Sequence, residues 1–358
     1  MARQSKHIAL TAMGILAITS LFYSSCKKEN VEPPGTDTID TAMVTMTPYE
    51  LRIPTFFPEV ATIPDDNKLY VERIQLGRML FFDNRLSNNG ESCATCHKAE
   101  LGFSMEGTSA FDNGLTSLPL VNLAWYNIFM WTGRIQGGLE DVMLSEVNNR
   151  FKTDIAKINT IAEYKTMFRK YYGVSAIDDK ALAKALAQYM RVLVSGNTRY
   201  DRRIKTQLQY TPSEERGFQI FTTEKGDCFH CHASVITTDN KFHNNGLDSL
   251  YAKELDKGYY TVTQNQGDLG KFRTPNLRNI ALRKDFMHDG RFKSLMEVVN
   301  FYDHGVHKVA NVDPIMLKPG KENGLKLSEQ DKLDLIAFLH TFTDSTMIQD
   351  TMFTNPFE

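Results

Sequence analysis

"GESCATCHKAE" spans residues 90–100 and sets Cys93 and Cys96 two residues apart, with His97 directly after the second. A second copy of the spacing, CFHCH, occupies 228–232 and supplies Cys228, Cys231 and His232. The chain has five cysteines, and the fifth, Cys26, lies near the start. Three chemistries compete for such pairs. Zinc uses Cys-x-x-Cys as a half-site, but it leaves both adjacent histidines idle, and the two pairs are too far apart in sequence for a compact ribbon. Disulfides suit an exported chain, yet a bridge across two residues is a tight redox loop that again ignores the histidines. A haem uses every residue: two thiols form thioethers with the porphyrin, and the next imidazole takes the iron from one side. The repeated motif therefore predicts two covalently bound c-type haems, with His97 and His232 as proximal ligands.

Compartment agrees with this reading. Arg3 and Lys6 precede an apolar run from Ile8 to Tyr23, followed by Ser24-Ser25-Cys26. A basic start, a short greasy stretch and small residues describe a secretory leader. The run is shorter than the ~20 residues a bilayer span needs. Cys26 after two serines resembles a bacterial lipobox, although Tyr23 stands where leucine is usual; acylation of Cys26 would anchor the chain to the periplasmic side of a bacterial membrane. Residues 1–25 are thus expected to be a leader. Residues 26–47, rich in proline, threonine and acids, are expected to be a flexible tether. Forty-one basic against 43 acidic residues leave a net charge of −2, which gives no reason to expect a nucleic-acid partner.

The rest of the chain reads as mainly α, with two cytochrome c-like haem domains at 48–203 and 204–358. Apolar residues at Leu182, Leu186, Tyr189, Met190 and Leu193 predict a helix over 179–200, stopped by Ser195-Gly196-Asn197. Ser328, followed by Glu329 and Asp331, predicts the N-cap of another. The segment 139–170 is expected to be helical with a break near Asn148-Asn149. No alternating strand pattern stands out. Two motifs imply an ancient duplication, though the flanking sequences show little obvious repeat.

From Leu76 to Phe342 the chain resembles the bacterial di-haem cytochrome c peroxidases. The marks are LGRMLFFDNRLS (76–87), VNLAWYNIFMWTGR (121–134), LVSGNTRYDR (193–202), GDCFHCH (226–232), FHNNGL (242–247), FRTPNLRNIAL (272–282) and FMHDGRFKSLMEVVNFYDHG (286–305). The resemblance implies reduction of hydrogen peroxide to water, with electrons from a small cytochrome c or a cupredoxin. It gives His97 to the peroxidatic haem, His232 to the electron-entry haem, and Trp131 to the space between them. It also makes Arg78 and Arg273 candidate partners of the haem propionates, since a guanidinium matches carboxylate geometry.

Three departures from the family pattern bear on activity. No histidine occurs between His97 and His230, where the family has a distal ligand; the corresponding stretch is AFDNG (110–114), so the first iron is expected to be open. Tyr302 stands at the family's methionine ligand, as in the methylamine-utilisation branch that oxidises a protein substrate; Met287 and Met296 are the alternatives. Lys152 stands where the family has its proton-shuttling glutamate, with Glu146 as the fallback, so weakened peroxide turnover is expected, the non-catalytic alternative being a di-haem electron carrier. Family members also hold calcium between domains, but the asparagine position is Thr116 and a proline position is Asp285. His243, His304, His307 and His340 are expected to be surface groups or propionate partners, with His230 left to its loop. His288 is expected beside the electron-entry haem.

Overall fold

The computed structural model describes residues 44–110 and 113–358; the expected leader, Cys26 and most of the tether lie outside them. The described chain is mainly helical. Its principal helices are α1 (Val71–Phe82), α2 (Leu139–Ser145), α3 (Ala162–Tyr172), α4 (Asp179–Val192), α5 (Arg199–Ile204), α6 (Pro212–Phe221), α7 (Leu295–Asn300) and α8 (Glu329–His340). Two-residue antiparallel ribbons, β1 (Ile128–Phe129) with β2 (Ile135–Gln136) and β3 (Phe242–His243) with β4 (Phe272–Arg273), serve only to fold loops back.

The Ser328 cap forms as expected, its hydroxyl accepting from Asp331 N at 3.2 Å. The helix expected over 179–200 ends earlier, at Val192. Asn122 is the cause: its backbone N–H donates to Leu193 O (2.8 Å) and its side-chain oxygen accepts from Ser195 N (2.8 Å). Those contacts satisfy groups that would otherwise continue the helix. In 139–170 the break is a π-helical turn, Glu146–Arg150, directly after α2.

The two halves repeat each other far more closely than their sequences suggest. Asn279, like Asn122, is left-handed (φ 60° and 62°), donates to Phe342 O (3.0 Å) and accepts from Asp344 N (2.8 Å). Met130 and Met287 share positive φ (66° and 67°), and each lies in a loop closed by matched pairs, Phe129 with Ile135 and Phe286 with Phe292. Helices α1 and α4 cross where a Cβ on Gly77 would stand 2.1 Å from Ala185 O; α6 and α8 cross where one on Gly217 would stand 1.9 Å from Asp334 O. Only glycine permits either approach. Helix α7 runs into a second π turn, Phe301–Gly305, as α2 runs into the first.

Each half builds its own core. One centres on α1 to α4, the other on Phe221, Leu335, Phe338 and Phe342 from α6 to α8. The tail returns to the first core, where Met347 and Phe353 are buried. Arg278, 1% exposed, ties α5 to the segment after the second motif: its guanidinium grips both Asp201 oxygens (2.6 and 2.7 Å) and donates from Nε to Val235 O (3.1 Å). Burial alone would push the Asp201 carboxyl up, but Arg278 holds it below the usual carboxylate range. Arg278→Met should therefore cost about 3–5 kcal/mol, because it strands a buried carboxylate. The pair's contribution is present above the unfolded carboxylate pKa and is lost as pH falls through the depressed folded value. Denaturant titrations of both proteins across the acid range check this; equal stabilities at neutral pH would refute it.

Candidate functional site

The first motif begins with a one-turn helix, Cys93–Cys96, in which Ser92 N donates to Thr95 Oγ1 (3.0 Å) and His97 N to Cys93 O (2.9 Å). In the second, a 3-10 turn over Cys228–His230 leads to His232 N donating to Cys228 O (2.9 Å). Both turns place two sulfurs and an imidazole within a few residues' reach of one another. Each imidazole is then fixed by its Nδ1. His97 Nδ1 meets Phe103 O at 2.9 Å and His232 Nδ1 meets Thr237 O at 3.1 Å. A carbonyl can only accept, so Nδ1 carries the proton and Nε2 keeps the lone pair a metal needs. Burial lowers the proton affinity of His232 and so favours that neutral form.

These histidines and cysteines open on two mainly apolar cavities. Cys93, Cys96 and His97 line one of about 130 Å³; Cys228, Cys231 and His232 line another of about 430 Å³. Neither competing chemistry finds support here. No disulfide joins the four cysteines, and among the described residues no cysteine falls in a converging group of metal-ligating side chains. A flat apolar macrocycle with acidic substituents fits better. Arg273 supports that fit: it is 4% exposed, lines both cavities, and has no carboxylate partner among the described residues. Burial lowers its pKa to about 10. A propionate would compensate that desolvated charge.

Trp131 is the second residue common to both cavities. It is buried; its Nε1 donates to Thr116 O (2.8 Å) and its carbonyl accepts from Arg273 N (2.9 Å). Phe272 meets the indole edge-on at 6.3 Å and stacks on His288 at 3.9 Å. His288 is buried at the larger cavity, as expected, and faces Asp256 at 3.2 Å.

Tyr302 and Met287 also face the larger cavity, and Met296 does not line it. Asn245 Nδ2 donates to Tyr302 Oη at 3.2 Å and reaches Met287 Sδ at 3.8 Å, so one amide holds both alternatives. Burial pushes the Tyr302 phenol up to about 12. His243 is half-buried at the same cavity rather than at the free surface. Asp239 (2.9 Å) and Asp313 (2.5 Å) flank it and raise its pKa above the usual imidazole range.

Lys152 and Arg78 stand elsewhere. Lys152 is exposed, lines neither cavity and has left-handed backbone (φ 47°), its carbonyl accepting from Asn88. Among the described residues the carboxylate lining the smaller cavity is Glu146; Arg150 lines it too and donates to Glu91 (2.9 Å). Glu146 opens the π turn, whereas Lys152 lies two residues beyond its end, where the chain has left the helix. Arg78 lies on the outer face of α1 and donates to Thr354 O (2.8 and 3.0 Å), tying down the tail. At the positions that match the family's calcium site, Thr116 Oγ1 donates to Met287 O (2.9 Å), and Asp285 accepts from Gly107 N (2.6 Å) and pairs with Lys293.

Sequence reading ranked Glu146 second and overlooked Asn245 and Phe272. A signal for Glu146 existed. LEDVMLSE (139–146) and LMEVVNFY (295–302) align with Glu146 opposite Tyr302, and both residues sit on the π turns.

Comparison with known proteins agrees with this geometry. Residues 71–209 match the family model described as di-haem cytochrome c peroxidase. The methylamine utilization protein MauG of Methylorubrum extorquens is 33% identical over 297 residues, covering 79% of this chain and 82% of the relative. Cytochrome-c peroxidase IdrP1 of Pseudomonas sp. strain SCT is 32% identical over 330 residues, covering 79% and 84%. Among solved structures, a MauG-like protein associated with microbial copper homeostasis superposes with a TM-score of 0.76 at 30% identity, covering 87% of this chain and 100% of that one. The chain belongs to the di-haem cytochrome c peroxidase family and carries two covalently bound c-type haems, one at each Cys-x-x-Cys-His.

Proposed function

We propose that this chain is an exported, lipid-anchored peroxidase that reduces hydrogen peroxide to two waters in the smaller cavity. A small cytochrome c or cupredoxin supplies the two electrons singly through the larger one. The observation that carries this reading is the sharing of Trp131 and Arg273 between two cavities of unlike chemistry. Bound, the haems supply one-electron redox chemistry, and an iron with a free position supplies the place where peroxide binds. The side chains do the rest. Glu146 takes the proton from the inner peroxide oxygen and returns it to the outer one, which leaves as water. Arg150 lines the same cavity and donates to Glu91 (2.9 Å), which keeps a guanidinium at its wall. The mainly apolar walls limit water at the reacting bond. Among the described residues His97 is the only histidine in the smaller cavity, which leaves the facing side to substrate.

Tyr302 in the larger cavity favours the second reading, oxidation of a partner protein's side chains, because a phenolate ligand stabilises oxidised iron. Membrane attachment rests on Cys26 and the tether; among the described residues no helix is long and apolar enough to cross a bilayer.

Absorption and EPR spectra, resting and after stoichiometric peroxide, test the proposal. A high-spin ferric signal that disappears with peroxide and returns with reduced donor is expected. Two low-spin irons that ignore peroxide would make the chain a simple carrier. In the same experiment Tyr302→Phe should shift the second haem's absorption and raise its potential; an unchanged spectrum assigns the ligand to Met287.

A further inference from the structure

The smaller cavity is lined by four methionines, Met105, Met130, Met143 and Met190, in a chain with 15. Methionine is a common filler of irregular gaps, but the internal repeat supplies a control for that explanation. Three of the four positions have counterparts in the larger cavity. Met130 corresponds to Met287, Met143 to Val299 by the matching of α2 with α7, and Met190 to Leu339 by the matching of α4 with α8. The same architecture thus accepts a branched aliphatic side chain at two of these places. The smaller cavity carries four thioethers against two, Met287 and Met316, in the larger one. Met143 and Met190 are 5% and 1% exposed, so an oxidant reaches them through the cavity rather than from bulk water.

We infer that these thioethers are a modification site: a sink that accepts the oxidising power of peroxide when no electron donor is at hand. A sulfur lone pair attacks one peroxide oxygen, the O–O bond breaks, an S–O bond forms, and the other oxygen leaves as water with both protons. Sulfur supplies the two electrons, so no further reductant is needed. The product is methionine sulfoxide, which cells can reduce back to the thioether. The sink spares Trp131 and the porphyrin from those equivalents. This inference rests on peroxide being consumed in the smaller cavity.

The test treats the haem-loaded protein with a few equivalents of hydrogen peroxide, with and without reduced donor, and maps added oxygen by peptide mass spectrometry. Absorption is recorded on the same samples. Met167 and Met296 are the internal comparators, since they are half-buried and line neither cavity. Without donor, the cavity methionines should take up oxygen several-fold more than the comparators, and donor should suppress the uptake. Met130→Leu, and Leu at all four positions, should increase haem bleaching per equivalent of peroxide; the single variant serves if the fourfold one does not fold. A haem spectrum that ignores peroxide overturns the functional reading. A spectrum that responds while the cavity methionines keep their native mass, or gain no more oxygen than Met167 and Met296, overturns the sink alone.

Discussion

Replacing Glu146 by glutamine should slow the reaction with peroxide by about two to four orders of magnitude, the usual worth of a positioned acid–base group. Lys152→Gln should change it by less than about twofold, as expected of an exposed side chain that lines neither cavity. Glu146→Gln keeps shape and polarity but cannot take a proton, so both haem spectra should stay as they are. Geometry distinguishes the two positions: Glu146 shares the smaller cavity with Cys93, Cys96 and His97, and Lys152 projects into solvent. Stopped-flow mixing of each variant with peroxide measures the bimolecular rate constant free of donor kinetics. Large loss in Lys152→Gln with little in Glu146→Gln would restore the linear count from the family pattern. Equal, small losses in both would mean that solvent moves the proton.

The example shows where sequence reading stops. Both haem attachment sites were legible because thioether chemistry demands a fixed local spacing, and a local spacing survives folding unchanged. Trp131 was expected between the two haems from its WTGR context, and it lines both cavities. Lys152 and Arg78 line neither cavity, for physical reasons that the sequence does not display. Lys152 stands two residues past the π turn in left-handed backbone, so no helical spacing relates it to the inward face that carries Glu146. Arg78 was spoken for by Thr354, a partner from the far end of the chain, and no local pattern reports such a contact. The internal repeat was hidden for a related reason. What the two halves share is a set of backbone requirements, such as the left-handed asparagines at 122 and 279 and the glycines at 77 and 217. Between those fixed points the side chains have diverged, with Glu146 opposite Tyr302 and Met190 opposite Leu339.

Trp131→Phe should leave each haem's own spectrum intact and slow electron passage from the second to the first by roughly tenfold or more, equivalent to about 1.4 kcal/mol in the barrier. Phenylalanine fills most of the indole's volume, so the cavities keep their walls, but it is much harder to oxidise and cannot hold a transient hole. It also lacks the N–H that satisfies Thr116 O, which should cost about 1–3 kcal/mol of stability. Thr116 in turn holds the backbone of Met287 and His288, so thermal melts of the variant belong beside the kinetics. The measurement is to reduce the second haem alone, mix with peroxide, and follow the two haems at separate wavelengths. If the transfer rate is unchanged, the indole is a structural wall. The route must then run through the other group bordering both cavities, Arg273, or through the Phe272–His288 stack beside it. Phe272→Leu would separate those two cases, since it removes the stacked ring and leaves the guanidinium in place.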